Sequence, residues 1–362
     1  MKKGRRVFFS VLNMGLGHAS RSLPIIQHLK DNDWELYIGS SGRSLQFLKC
    51  EISNAKFFEL PDYNLKYTRK GVSFILLLSQ LPSLFKKIQI ENEFTSQLVR
   101  ENMIDMIISD HRYGCYHSDI PAFFLSHQLR FVTPKILRPL EFGGIWFNQY
   151  FHKKYTAVLV PDEKKKNDGL LSGRLSNIGK PSYLYFCGLL SSIKKNTVTE
   201  DIDVLISVSG PEPQRTIFEK IVLSQIKDVP GKKVVVLGKP ENNHLEVVSD
   251  ELAIYNFASR KLMQELFNRS KIIVSRSGYS TLMELVELQK KAFFVPTPGQ
   301  TEQLYLAERF KEFGYFDYSL QNKLDLAKQI PQALSYDGVS SDLKTEGTLR
   351  IIDDVISSKL DE

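Results

Sequence analysis

Lys271–Phe310 reads KIIVSRSGYSTLMELVELQKKAFFVPTPGQTEQLYLAERF, and this stretch decides the fold. Ile272-Ile273-Val274 is an apolar, β-branched run of the kind a buried strand uses. Ser275-Arg276-Ser277-Gly278 is a turn, and Thr281-Leu282-Met283-Glu284-Leu285-Val286 has helical spacing. Ala292-Phe293-Phe294-Val295 is a second strand, closed by Pro296-Thr297-Pro298-Gly299, and an amphipathic segment begins near Thr301. Strand, helix, strand and helix in so short a span predict a parallel sheet. Ligands of such sheets bind at the carboxyl ends of the strands. Ser275–Gly278 and Thr297–Gln303 fall there.

The same alternation extends outward in both directions. Toward the N-terminus, Val204–Val208, Lys233–Leu237 and Leu252–Phe257 predict strands, and Ser259 caps a helix to about Asn268. Gly188–Glu200 is polar and reads as a linker between domains. Before it, Arg5–Leu12, Glu35–Gly39, Ala55–Leu60, Ile104–Asp110, Ala122–Leu125, Ala157–Val160 and Tyr183–Cys187 predict a second strand series. Ser20 reads as the N-cap of the first helix, with Pro24 in its first turn. Val72–Arg100 reads as a long helix or a broken helix pair, interrupted at Pro82. Toward the C-terminus, Leu324–Leu334 and Ser341–Lys359 are helical. The expected fold is α/β, with two Rossmann-like doubly wound domains and a cleft between them. The expected domains are 1–188, 189–340 and a C-terminal helix in 341–362.

At 362 residues there is enough chain for two domains with their own cores. Cys50, Cys115 and Cys187 are far apart and lack metal-ligand spacing, which predicts reduced thiols and a cytoplasmic protein. No stretch approaches the roughly 20 apolar residues of a membrane span. Net charge is +7, unevenly placed: residues 1–180 hold 26 Lys+Arg against 16 Asp+Glu, and residues 181–362 hold 22 against 25. The basic first half suits an anionic partner such as a membrane surface, or is simply a soluble basic surface. Val72–Leu78 with Leu81, Leu84, Phe85, Lys86 and Lys87 is either an interfacial membrane helix or a core helix.

Four loops carry candidate chemistry. Gly15-Leu16-Gly17-His18 follows the first strand and precedes a helix, where glycines admit a ligand and free N–H groups favour an anion. His18 suits proton removal from a hydroxyl near neutral pH, or caps the helix without chemistry. Ser209, Gly210, Gln214 and Arg215 form the matching loop of the second half and suit pyrophosphate, or make a plain Pro-rich turn. Arg276, Ser277, Gly278, Thr281 and Glu284 place hydroxyls and a carboxylate near a helix start. Glu284 either accepts ribose hydroxyls or completes a capping box with Thr281, and spacing alone favours the cap. Gln300 and Gln303 suit sugar hydroxyls, or belong to a polar loop. Asp110 with His111, and His127, follow first-half strands on the acceptor side. No nucleophile elbow and no metal set is present in the sequence.

Together these residues resemble the GT-B glycosyltransferases, in the branch that makes the lipid-linked peptidoglycan precursor from UDP-N-acetylglucosamine. The motif S/C-R-S/A-G-x-x-T-x-x-E is matched throughout by Ser275–Glu284, and Val295-Pro296 and Gln303 match the strand end and helix start that follow. The resemblance implies a UDP-sugar donor, no obligatory cofactor, and inversion with His18 as base. It implies that Glu284 binds ribose and that Phe257 meets the uracil region. A glycan or lipid-linked acceptor and peripheral contact with the inner face of the membrane are expected, and no nucleic acid. Gly-Leu-Gly-His with Arg21 also resembles a nucleotide-sugar hydrolase of the same fold, and a non-catalytic sugar-nucleotide or glycan-binding protein is the remaining expectation. Three departures stand out: the first glycine turn commonly carries more glycines in the family, the phosphate loop is Gly210-Pro211-Glu212-Pro213 where the family is Gly/Ser-rich, and Gln303 is followed by Leu304 where the family often has a second glutamine.

Overall fold

The computed structural model describes residues 4–63, 74–133, 138–139, 141–165, 168–179, 181–239 and 245–360, without the side chains of 74–78. The chain divides into two compact units. The first runs to Leu190 and includes Leu343 onward, and the second is Ser191–Asp342. The final helix therefore belongs to the first unit.

In the first unit, β1 (Arg6–Val11), β2 (Glu35–Ser40), β3 (Ala55–Glu59), β4 (Met106–Asp110), β5 (Ala122–Leu125) and β6 (Ala157–Val160) enter one sheet, and β7 (Lys164–Lys165) and β8 (Asp168–Gly169) pair separately. With β9 (Leu184–Phe186) the sheet order is β3-β2-β1-β4-β5-β6-β9, every pair parallel. β4, β5 and β6 are buried throughout, as strands covered on both faces must be. Winding runs one way from β1 and the other way from β4, so the crevice at their carboxyl ends is a topological switch point.

Four helices flank this sheet: α1 (Gly17–Asp31), α2 (Gly42–Glu51), α3 (Phe74–Asn102) and α4 (Glu141–His152). The N-cap of α1 is Leu16, four residues earlier than the Ser20 its sequence predicts. The Ser20 N–H donates to Leu16 O at 2.8 Å, so the helix is under way before Ser20, and Pro24 lies well inside it. α3 runs on through Pro82 without the expected break. Leu84, Ile88, Leu98 and Val99 bury one face on the core, and that packing outweighs the proline's missing donor.

The second unit repeats the plan with β10 (Ile202–Ser207), β11 (Lys233–Val236), β12 (Leu245–Ser249), β13 (Leu252–Tyr255), β14 (Ser270–Ser275), β15 (Lys291–Phe294) and β16 (Asp317–Tyr318). The order is β12-β13-β11-β10-β14-β15-β16, parallel except for the edge pair β12–β13. Its switch point lies between β10 and β14. Its helices are α5 (Gln214–Gln225), α6 (Arg260–Arg269), α7 (Tyr279–Leu288), α8 (Thr301–Glu312) and α9 (Leu326–Ala333); α10 (Thr345–Leu360) returns to the first unit, where Asp353 meets His28 Nε2 at 2.7 Å.

Candidate active site

The first unit gathers its candidate residues at the switch point. Gly15 turns the chain after β1 with φ at +75°, a conformation that favours glycine, and a Cβ there would meet nothing within 4 Å. Gly17 and His18 then open α1. Asp110 ends β4, opposite Val11 of β1. This adjacency brings His18 Nδ1 to 2.7 Å from Asp110 Oδ1 across 92 positions of sequence. Asp110 is fully buried and accepts three further bonds: from Arg21 Nη2, from Arg21 Nε at 2.8 Å, and from the Ser22 hydroxyl at 2.8 Å. Arg21 Nη1 donates to His127 Nδ1 at 2.6 Å, and Nη2 lies 3.2 Å from His111 Nδ1. His111 Nε2 donates to Ser126 Oγ at 3.1 Å.

Charge fixes the protonation pattern. Burial alone would raise the Asp110 carboxyl, but Arg21 and His18 overcome it and hold Asp110 well below the usual carboxylate range. Ionised Asp110 only accepts, so His18 Nδ1 carries the proton and Nε2 keeps a lone pair, with no hydrogen-bond partner among the described residues. Burial first, with the Arg21 guanidinium among its neighbours adding to it, pushes His111 well below its ordinary value, so it is a neutral ring. His18, Asp110 and His111 have the atoms to chelate a metal ion. All three converge instead on Arg21 Nη2, which lies 3.0 Å from His18 Nδ1. The guanidinium is the cation of this cluster.

In the second unit, Arg276 is the hub. Its guanidinium donates to the carbonyls of Ser209 (3.2 Å), Gln214 (3.1 Å), Val295 (2.9 Å) and Pro296 (3.3 Å), and to Gln321 Oε1 at 2.6 Å, while stacking 4.2 Å over Phe218. Burial draws its pKa down to about 9, still charged at neutral pH. Arg276 thus ties the carboxyl-end loops of β10, β14 and β15 together. Gln214 opens α5, and its side chain accepts from Gln321 at 3.0 Å. Arg215 spends its guanidinium on Glu212 (2.5 Å), Glu219 (2.7 Å) and Leu237 O (3.1 Å), so the guanidinium is committed to protein partners. Ser277 Oγ donates to Gln303 O at 2.7 Å, and Gln303 Oε1 accepts the Thr297 N–H at 2.8 Å. Gln300 is the N-cap residue of α8, and Phe257 follows β13.

The capping box at Thr281 does not form. Gly278 is the N-cap residue of α7, which puts Glu284 in the second turn rather than the first. Its carboxylate pairs with Arg260 at the start of α6 and accepts from Ser192 at 3.3 Å. Arg260 has no distinguishing sequence context and is missed by reading alone.

Residues 214–340 match the glycosyltransferase family 28 C-terminal domain. Across both units the chain is similar to the UDP-N-acetylglucosamine–N-acetylmuramyl-(pentapeptide) pyrophosphoryl-undecaprenol N-acetylglucosamine transferase of Sulfurihydrogenibium sp. (strain YO3AOP1), at 27% identity over 94% of this chain and 92% of the relative. Among solved structures, the kitacinnamycin glycosyltransferase superposes with a TM-score of 0.65 at 13% identity, covering 99% of this chain and 100% of the other. Acinetobacter baumannii MurG superposes with a TM-score of 0.59 at 12% identity, covering 98% and 99%. The chain is a glycosyltransferase of the GT-B fold.

The family 28 match covers β11 to β16 and so includes Arg276, Glu284 and Gln303, the residues on which the sequence resemblance rested. It begins at Gln214, the first residue of α5, immediately after the Gly210 loop. The His18 cluster lies outside it.

Proposed function

We propose that this glycosyltransferase moves a hexose, N-acetylglucosamine being the first candidate, from a UDP-sugar to a hydroxyl of a lipid-linked acceptor. The observation that carries the reading is the His18–Asp110 pair at the switch point of the first unit. His18 Nε2 takes the proton of the acceptor hydroxyl, and Asp110 holds the ring and offsets the imidazolium that forms. The acceptor oxygen attacks the anomeric carbon as its bond to the diphosphate breaks, which inverts that carbon and releases UDP. In the second unit, the backbone around Ser209 and Gly210 and the start of α5 take the diphosphate, and Glu284 accepts the ribose hydroxyls. Gln300 and Gln303 lie on the sugar side and Phe257 on the base side.

A membrane surface fits the first unit. Phe142, Trp146 and Tyr150 stand on one face of α4 at 72%, 67% and 49% exposure. Beside them, Arg130, Arg138 and Arg174 line a cavity of about 320 Å³ with Glu141, Phe142 and Ile145, and the Glu141 carboxylate lies 3.1 Å from Arg174 and 4.0 Å from Arg130. We assign this aromatic and basic face to an anionic bilayer carrying the acceptor. No described helix is long and apolar enough to cross a membrane.

The test is thermal stability against UDP, UDP-N-acetylglucosamine, UDP-glucose, GDP-mannose, dTDP-glucose and CMP, followed by UDP release from the stabilising donor. A ligand at 100 times its dissociation constant adds about 2.7 kcal/mol. Stabilisation by UDP species, with UDP release abolished in His18→Ala, is the expected result. Near-normal release by His18→Ala would remove the base assignment, and release with water alone would make the enzyme a hydrolase.

A further inference from the structure

We propose that Thr297 determines diphosphate binding in the second unit: its hydroxyl donates to a phosphate oxygen of a nucleotide held over Gly210. The proposal rests on the UDP-sugar reading above. Thr297 is 2% exposed, and its Oγ1 has no hydrogen-bond partner among the described residues. A desolvated polar group left unpaired is destabilising. Valine, with the same shape, would suit the unliganded fold better. A partner for that hydroxyl has to come from outside the described residues.

That space is defined by a missing side chain. Gly210 has φ at +120°, and a Cβ there would lie 3.5 Å from Thr297 Oγ1 and 3.7 Å from Arg276 Nε, with nothing else within 4 Å. The room over Gly210 is thus bounded by a hydroxyl donor, a guanidinium and bare backbone a few residues before α5. The nearby Glu212 carboxylate is turned to Arg215, which neutralises it. Each of these features favours an anion. The hydroxyl is also held in place. The Thr297 N–H donates to Gln303 Oε1 at 2.8 Å, and its carbonyl accepts the Gln300 N–H at 3.1 Å. Gln303 therefore acts on the ligand by positioning Thr297.

The experiment is calorimetric titration of wild type, Thr297→Val and Thr297→Ser with UDP and with uridine, beside their melting curves. Thr297→Val should melt at or above wild type, because no protein hydrogen bond is lost. It should bind UDP about 10- to 100-fold more weakly, the worth of a hydrogen bond to a charged group. Uridine affinity should be unchanged, and Thr297→Ser should bind UDP like wild type. Three outcomes overturn the proposal: Thr297→Val binding UDP as wild type does, losing UDP and uridine by the same factor, or melting well below wild type. Wild type that binds uridine-containing ligands not at all would overturn the UDP-sugar reading as well, and so is told apart from a failure of Thr297 alone.

Discussion

Asp110→Asn isolates the charge balance of the first unit. The substitution keeps the size of a side chain that is fully buried and removes the negative charge facing Arg21, itself 2% exposed. Asp110 accepts from His18, twice from Arg21 and once from Ser22. An amide has one oxygen for these four donors, and its own N–H groups would point at donors. Breaking a buried ion pair from one side costs about 3–5 kcal/mol. At about 2–4 °C per kcal/mol for a unit of this size, the midpoint should fall by roughly 6–20 °C. His18→Ala, by contrast, removes a partly exposed ring and one bond, and should cost about 1 kcal/mol. Melting curves of wild type, Asp110→Asn, His18→Ala and the double variant Arg21→Met/Asp110→Asn give the answer. The double variant should recover part of the loss, since no uncompensated charge remains. An Asp110→Asn midpoint within about 2 °C of wild type would refute the claim that Asp110 balances Arg21.

Two further outcomes follow from other parts of the first unit. His152 is buried between Phe124 and Tyr183, both ring nitrogens lack a hydrogen-bond partner among the described residues, and burial lowers its pKa from 6.5 to about 3. Below pH 6.5 the unfolded chain takes up a proton that the folded chain refuses, so this contribution is whole above that pH and is lost progressively toward pH 3. By pH 5 the loss should reach about 2 kcal/mol; urea titrations of wild type and His152→Leu at pH 7 and pH 5 should show the wild type losing that much more, and parallel losses would sink the assignment. On α4, Trp146→Asp should abolish flotation with phosphatidylglycerol vesicles while leaving stabilisation by UDP unchanged. Equal flotation of the two proteins would remove the membrane from that face.

The parallel sheets were legible because buried strands such as Ile272–Val274 and Met106–Ser109 need apolar, β-branched runs, and because turns with glycine or proline bound them. What lay between distant strands was not. Asp110 and His18 each stood out, yet their pairing depends on β4 lying beside β1, and sheet order is absent from any local pattern. Arg21 is three residues after His18, the spacing that shares a helix face, but placing the helix start at Ser20 left His18 outside the helix. β12 escaped because every one of its residues is exposed, so no burial period marks Leu245–Ser249 as a strand. Thr281 and Glu284 satisfied a capping pattern that Gly278 displaced, since the helix begins before Thr281.

Each unit sets a buried carboxylate against an arginine, and the difference between the two pairs assigns their work. Glu284 faces Arg260 and accepts from the Ser192 hydroxyl, to which Arg260 also donates. A carboxylate held by a guanidinium is suited to accepting hydroxyls. Asp110 faces Arg21 with a histidine joined to the same carboxylate, and that ring can take and release a proton. Arg21 keeps Asp110 ionised, and ionised Asp110 in turn fixes the His18 tautomer with Nε2 free of a proton. The arginine that fills the place of a metal ion is thus what makes the histidine a base: with Arg21 removed, burial would push Asp110 toward its neutral form, and a neutral carboxyl no longer requires His18 to carry its proton on Nδ1.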